Sequence, residues 1–163
     1  MLSNGGGGDS DSSLAKSTAP STGAGGSKPT QPSSGDVKAA EARALQLLNA
    51  DRSKNGLPAL KANSKLTALA ESYAQDMINR GFFAHNNPEG QTPFDRMKAA
   101  GIGYSYAGEN LAINSNVDAA EVAFMNSSGH RANILSKNFT EVGIGVKYAP
   151  SGQVYVVQEF IRP

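Results

Sequence analysis

Glu141-Val142-Gly143-Ile144-Gly145-Val146-Lys147-Tyr148-Ala149-Pro150-Ser151-Gly152-Gln153-Val154-Tyr155-Val156-Val157-Gln158-Glu159-Phe160-Ile161 is the stretch on which the fold turns. Val142, Ile144, Val146 and Tyr148 alternate with Glu141, Gly143, Gly145 and Lys147, the period of a strand with one buried face. Ala149-Pro150-Ser151-Gly152 supplies a turn. Val154 to Ile161 is apolar on both faces, as a central strand covered on each side would be. Two such strands across a short loop form an antiparallel hairpin.

Upstream the period is helical. Asp36 is the expected N-cap of a first helix striped by Val37, Ala40, Ala44, Leu47 and Leu48, which runs down near Gly56-Leu57-Pro58. Ser64 is expected to cap a second helix bearing Leu66, Leu69, Ala70, Tyr73, Ala74 and Met77. Gly81 stands just past its end, and Leu69 and Tyr73 are expected to be buried. Thr92, Pro93 and Asp95 sit as cap, N1 and N3 of a third helix, whose inner face is Phe94, Met97 and Ala100. A fourth, from about Val117 to Asn126, buries Ala120 and Phe124. Helices first and strands last predict an α+β domain with helices packed on a small antiparallel sheet.

The first 35 residues differ in texture. Gly5 to Gly8 lie in a row, followed by Ser, Thr, Pro, Gly and Asp with almost nothing apolar after Leu14. Such a segment buries too little to offset its conformational entropy, so 1–35 is expected to be a disordered tail and 36–163 one domain. The tail has the composition of a spacer that holds an envelope protein away from its anchor, and equally that of an artificial linker or an idle end. Met1-Leu2-Ser3 has no apolar h-region, so an export signal is expected to be missing from this sequence.

With 15 Lys and Arg against 14 Asp and Glu and no basic stripe, neither nucleic acid nor an anionic membrane surface is indicated as a partner. There is no cysteine, hence no disulfide framework or thiolate metal site, and no apolar stretch near transmembrane length. A monomer is expected.

The chemistry-bearing residues are few. The chain has two histidines, His85 in Phe82-Phe83-Ala84-His85-Asn86-Asn87-Pro88-Glu89-Gly90 and His130 in Ser127-Ser128-Gly129-His130-Arg131-Ala132-Asn133. Gly108-Glu109-Asn110-Leu111 lies between them. Two imidazoles and a carboxylate are parts of a divalent-metal site or of an acid–base pair; they are also parts of an ordinary hydrogen-bonded loop. Glu109 reads equally as a ligand and as a residue that accepts backbone N–H groups and orients His130. Ser127 and Ser128 invite a nucleophile–base pairing, but no nucleophile-elbow pattern is present, and helix termination or capping is the simpler account. Arg131 and Asn133 are expected to bridge loops. The aromatics Phe82, Phe83, Tyr104 and Tyr106 fit a groove, a core or a rim equally well. Gly101-Ile102-Gly103 and Gly143-Ile144-Gly145 lack the third glycine of a nucleotide loop.

Taken in order, Leu48-Asn49-Ala50-Asp51-Arg52, Gly56-Leu57-Pro58-Ala59-Leu60, Phe83-Ala84-His85, Gly108-Glu109-Asn110-Leu111, Ser128-Gly129-His130-Arg131-Ala132-Asn133-Ile134-Leu135 and Val142-Gly143-Ile144-Gly145 resemble the CAP superfamily of cysteine-rich secretory, antigen 5 and pathogenesis-related proteins. The resemblance is to its bacterial, cysteine-free, SCP-like extracellular branch and spans residues 38–162. It implies an α-β-α sandwich and a cleft floored by two histidines and two acids that can hold a divalent cation. Carried over, these are His85, Glu109 and His130. The second acid of eukaryotic members, three positions after a helical aromatic, falls on Ser127 after Phe124, and Glu121 on the same helix points nearly the opposite way. Ser127, Ser128, Arg131 and Asn110 complete the candidate cleft. Two imidazoles and one carboxylate suit zinc with an open position, held weakly or conditionally. The implied function is an exported, extracellular or cell-envelope binding module for a divalent metal and a small apolar or envelope ligand. The alternatives are a metal- or histidine-assisted hydrolase of peptides or esters, and an adhesin-like structural domain.

Overall fold

A computed structural model describes Leu14–Lys16 and residues 32–163. In chain order the elements are β1 Leu14–Lys16, α1 Ser34–Lys54, β2 Lys61–Ala62, α2 Ser64–Arg80, α3 Pro93–Ala99, β3 Tyr106–Asn114, α4 Val117–Met125, α5 Ser128–Ile134, β4 Glu141–Tyr148 and β5 Val154–Arg162. The strands form one sheet in the order β1-β3-β5-β4-β2. The three long strands β3, β5 and β4 are antiparallel, and the short β1 and β2 add in parallel at the two edges. Helices α2 and α3 cover one face, and α1, α4 and α5 the other. This is the α+β domain that the change of period implies, arranged as the α-β-α sandwich that the resemblance implies.

The hairpin forms as read. β4 pairs with β5 from Glu141↔Ile161 to Tyr148↔Val154, and Ala149–Gly152 closes the turn. β5, apolar on both faces, lies between β3 and β4. β4 departs from expectation, because its glycine face is covered as well. A Cβ on Gly143 would come 2.2 Å from the Leu66 carbonyl carbon, and one on Gly145 2.3 Å from the Glu71 nitrogen. The glycines let the α2 backbone lie directly on the sheet.

Helix starts shift by a residue or more. Ser33, not Asp36, caps α1; Asp36 is N3 and returns the bond to the Ser33 amide, completing a capping box. Asn63, not Ser64, caps α2 by accepting from the Leu66 amide. Thr92 and Asp95 form the expected box on α3, and Gly81 ends α2 in the left-handed conformation at φ 69°. Within α2, Leu66, Tyr73 and Met77 are buried, while Leu69 is only half-buried at the helix edge.

Two elements carry no periodic signature. β3 is buried on both faces and places Glu109 and Asn110 inside the protein, so neither alternation nor an apolar run marks it. α5 is seven residues long and mostly polar. In the tail, Leu14–Lys16 pairs with Leu111–Ile113, a strand that composition does not anticipate. The other residues of 1–31, and the disorder expected of them, lie outside the described residues.

Candidate functional site

β3 organises the site because successive residues of a strand face opposite ways. In the register with β5, Glu109 lies across from Glu159 and Asn110 across from Gln158. Glu109 and Glu159 share the face of Leu111 and Val157, which packs on α2. Asn110 and Gln158 share the face of Ala112, Val156 and Phe160, which packs under α1, α4 and α5.

On the α2 face the cluster is charged. His85 Nδ1 lies 2.7 Å from Glu109 Oε1, and Arg96 Nη2 donates to Glu109 Oε2 at 2.8 Å. Arg96 Nη1 donates to the carbonyls of His85 and Gln91, and its guanidinium stacks 3.4 Å from the centroid of the Tyr73 ring. The Tyr73 hydroxyl meets the carbonyls of Ala84 and His85. The loop bearing His85 is thus held from two helices. Burial works to raise the Glu109 carboxyl. The hydrogen bonds from His85 and Glu159 and the Arg96 charge outweigh it and hold the group below the usual carboxylate range.

Glu159 is fully buried, and neither of its oxygens meets a nitrogen or hydroxyl donor among the described residues. Burial and the adjacent Glu109 carboxylate push it well above the usual range, so Glu159 is neutral and its proton can be given to Glu109. One site thus holds an ionised and a neutral carboxyl side by side.

On the opposite face the network is neutral. His130 is completely buried on α5, its ring 5.0 Å from that of Phe124, and Nδ1 is 2.8 Å from Ser127 Oγ. Its Nε2 has no partner among the described residues. Burial first, then the charge of His85, lowers the His130 pKa to about 4. That coupling puts the two imidazoles within electrostatic reach of each other around β3. Asn110 donates to the His130 carbonyl and to Gln158, and Asn133 donates to Asn110 and to the Glu109 carbonyl. Gln158 donates in turn to Glu121, whose burial, with Asp51 nearby, raises its pKa to about 9.

The structure therefore joins His85 to Glu109 and His130 to Ser127, with Asn110 between them. Glu109 orients His85, not His130, and both its oxygens are engaged. Among the described residues no group of three or more His, Asp and Glu side chains is disposed to hold a metal ion. Ser127 occupies the N-cap position of α5, yet its hydroxyl binds His130 instead of capping. Ser128 and Arg131 leave the site: both are exposed, three residues apart on the outer side of α5, while Ser127 and His130 share the inner side. Asn133 bridges loops as expected. Arg131 does not, being turned to solvent.

Sequence reasoning missed Arg96, Glu159, Gln158 and Tyr73. Two had a signal. Gln158-Glu159 interrupts an otherwise apolar central strand, and Arg96 falls on the inner face of α3 beside Met97. An open cleft of about 700 Å³ runs along α2 behind the cluster, lined by polar groups including Arg96, Asn87, Gln91, Glu89 and Arg80. His85, Glu109 and His130 do not line it. Phe82 packs edge-on against Tyr73, and Phe83 against Tyr155, half-buried at the rim.

Comparison with known proteins follows the same outline. The model of the cysteine-rich secretory protein family, CAP, matches residues 45–160. YkwD of Bacillus subtilis is 43% identical over 126 residues, covering 77% of this chain and 48% of its own length. The crystal structure of an extracellular protein containing an SCP domain from Bacillus anthracis matches with a TM-score of 0.74 and 32% identity, over 84% of this chain and 45% of that one. An outer surface protein of Borrelia burgdorferi shares the fold at a TM-score of 0.73 and 20% identity, over 78% of this chain and 95% of that one. The chain thus spans about half the length of the relative from Bacillus subtilis.

Proposed function

The chain belongs to the cysteine-rich secretory protein (CAP) family, and from that premise we propose that it is an exported binding module in which His85 and His130 together hold a divalent cation, zinc first among them. The observation that carries this reading is the His130 Nε2, a buried nitrogen with no partner among the described residues. Buried polar atoms are nearly always paired, so an orphan within electrostatic reach of a second imidazole marks a position for a ligand. In the tautomer whose Nδ1–H donates to Ser127, Nε2 presents a lone pair, and the depressed pKa keeps it available at neutral pH. His85 has the matching support, since a carboxylate on Nδ1 fixes the ring and strengthens its other nitrogen as a donor to a metal.

Glu109 acts here as orienter. With no third ligand among the described residues, affinity is weak, and the remaining coordination positions are open to a second molecule such as an envelope component. Its relatives from Bacillus anthracis and Borrelia burgdorferi are described as extracellular and outer surface proteins, which supports work outside the cell.

Hydrolysis has one observation in its favour, the Ser127–His130 contact. General-base strength follows pKa, and an imidazole near 4 takes a serine proton poorly at neutral pH. The other base, Glu109, is already engaged at both oxygens. Binding is therefore the better reading.

Zinc titration followed by histidine NMR tests it. Both imidazoles should shift together near one equivalent, with weaker binding as pH falls, because ligating imidazoles must be neutral. His130→Ala should abolish the response of His85. Histidines that ignore the metal, or respond separately, would show the site to be structural.

A further inference from the structure

The two edges of the sheet are closed in different ways. At the β4 edge, β2 is locked in place: Lys61 and Asn63 donate their amides to Thr140 and Val142, Asn63 Nδ2 reaches Glu141, and Asn49 binds Leu60 through both amide atoms. It is also continuous with α2, which lies on the sheet. At the β3 edge the closing strand is Leu14–Lys16, three residues joined to the domain through residues 17–31. β3 pairs with β5 over its whole length from Tyr106 to Asn114. Alternate backbone groups on its other side point away from β5 and need partners.

We infer that the free edge of β3 is a strand-addition site and that Leu14–Lys16 of the same chain is its resident occupant. Two observations support this. The pairing is in parallel register, Leu14↔Leu111, Ala15↔Ala112 and Lys16↔Ile113, so it is main-chain recognition that needs no particular side chain. The paired stretch starts at Leu111, and two residues earlier the Glu109 carbonyl accepts from Asn133 instead of from a strand, so the addition site runs C-terminally from Leu111. The inference does not depend on metal binding.

The test uses the full chain and amide hydrogen exchange. Ala15→Pro removes an N–H and fixes φ in the middle of β1, while Ala15→Gly keeps the N–H. In the proline variant the amides of Leu111–Ile113 that point away from β5 should exchange at least about tenfold faster; in the glycine variant they should stay protected. A synthetic peptide with the sequence of residues 11–19 should restore protection when added to Ala15→Pro. It should bind the unmodified chain at least about tenfold more weakly, because a tethered competitor acts at roughly millimolar effective concentration. Unchanged exchange in Ala15→Pro would overturn the proposal. Protection that fades on dilution of the unmodified chain would also overturn it, because the strand would then come from a second copy.

Discussion

His85 stands among buried charges and His130 among buried neutral dipoles, with one strand between them. The difference arises from a one-residue step. Glu109 and Glu159 project to the α2 face, Asn110 and Gln158 to the α4–α5 face. On the charged side the ionised groups answer one another: Arg96 holds Glu109 and the His85 carbonyl, and the Glu159 carboxyl is pushed toward its neutral form because a second buried negative charge there would cost too much. On the neutral side amides satisfy one another, and among the described residues the His130 Nε2 and one Glu121 oxygen are left over. The first arrangement fixes a loop. The second leaves a ring nitrogen unpaired among the described residues.

The comparison breaks most visibly at Arg96. Arg96→Leu leaves Glu109 ionised and buried with His85 and the Glu159 carboxyl but no full positive charge fixed against it, and removes the clamp on the Gln91 and His85 carbonyls. The expected cost is about 3–5 kcal/mol in urea unfolding, the range for stripping one partner from a buried ion pair. A loss below about 1 kcal/mol would mean that the charged side does not hold the loop.

How much of this was legible follows from the same strand. The hairpin, α2 and the α3 cap were readable because each obeys a period or a cap rule with its polar atoms outward. β3 was not, since its buried polar residues find partners inside the protein and leave no surface for alternation to report. The motif residues His85, Glu109 and His130 could be picked out, but not which of them touch. Arg96 and Glu159, which decide the charge state of Glu109, come from helix and strand faces where only a misplaced polar residue gives them away. Leu69 was misplaced for a simpler reason. A stripe at helical spacing is wider than the face a flat sheet can cover, so its edge residue stays half-exposed.

A second, opposite effect is expected at Glu121 on the neutral side. Its pKa is about 9 folded against an ordinary value of 4.5, so the native state keeps a proton that the unfolded chain gives up. The stability this group supports is therefore present below about pH 4.5 and is lost as pH rises through about 9. Glu121→Gln keeps the shape and removes the titration. At pH 7 the variant should be more stable by about 2–3 kcal/mol, with a flatter pH dependence between pH 5 and 8. Equal stabilities at pH 7 and pH 4.5 in the parent chain would mean that Glu121 is ionised in place, and the two sides of the strand would then be alike.

The smallest effect sharpens the contrast most. Ser127 stands where relatives beyond the bacterial branch are expected to carry an acid, and here its hydroxyl touches His130 Nδ1. Ser127→Ala should cost about 1–2 kcal/mol, because it leaves both nitrogens of a buried ring unpaired. His130 titrates at about 4 in the fold against an ordinary 6.5, so its contribution is present above about pH 6.5 and is lost as pH falls through about 4. Ser127→Asp should do the reverse of the alanine change in solution chemistry. A carboxylate against Nδ1 stabilises the imidazolium, so the His130 midpoint by NMR should climb from about 4 toward or past the ordinary histidine value. It should also firm the grip of the ring on zinc by roughly tenfold or more, as an orienting carboxylate does for a ligating imidazole. The neutral side would then resemble the charged one, with a carboxylate-backed histidine on each. If His130 still titrates near 4 with aspartate at position 127, the hydroxyl contact does not set its chemistry, and burial alone must account for the low basicity of this ring.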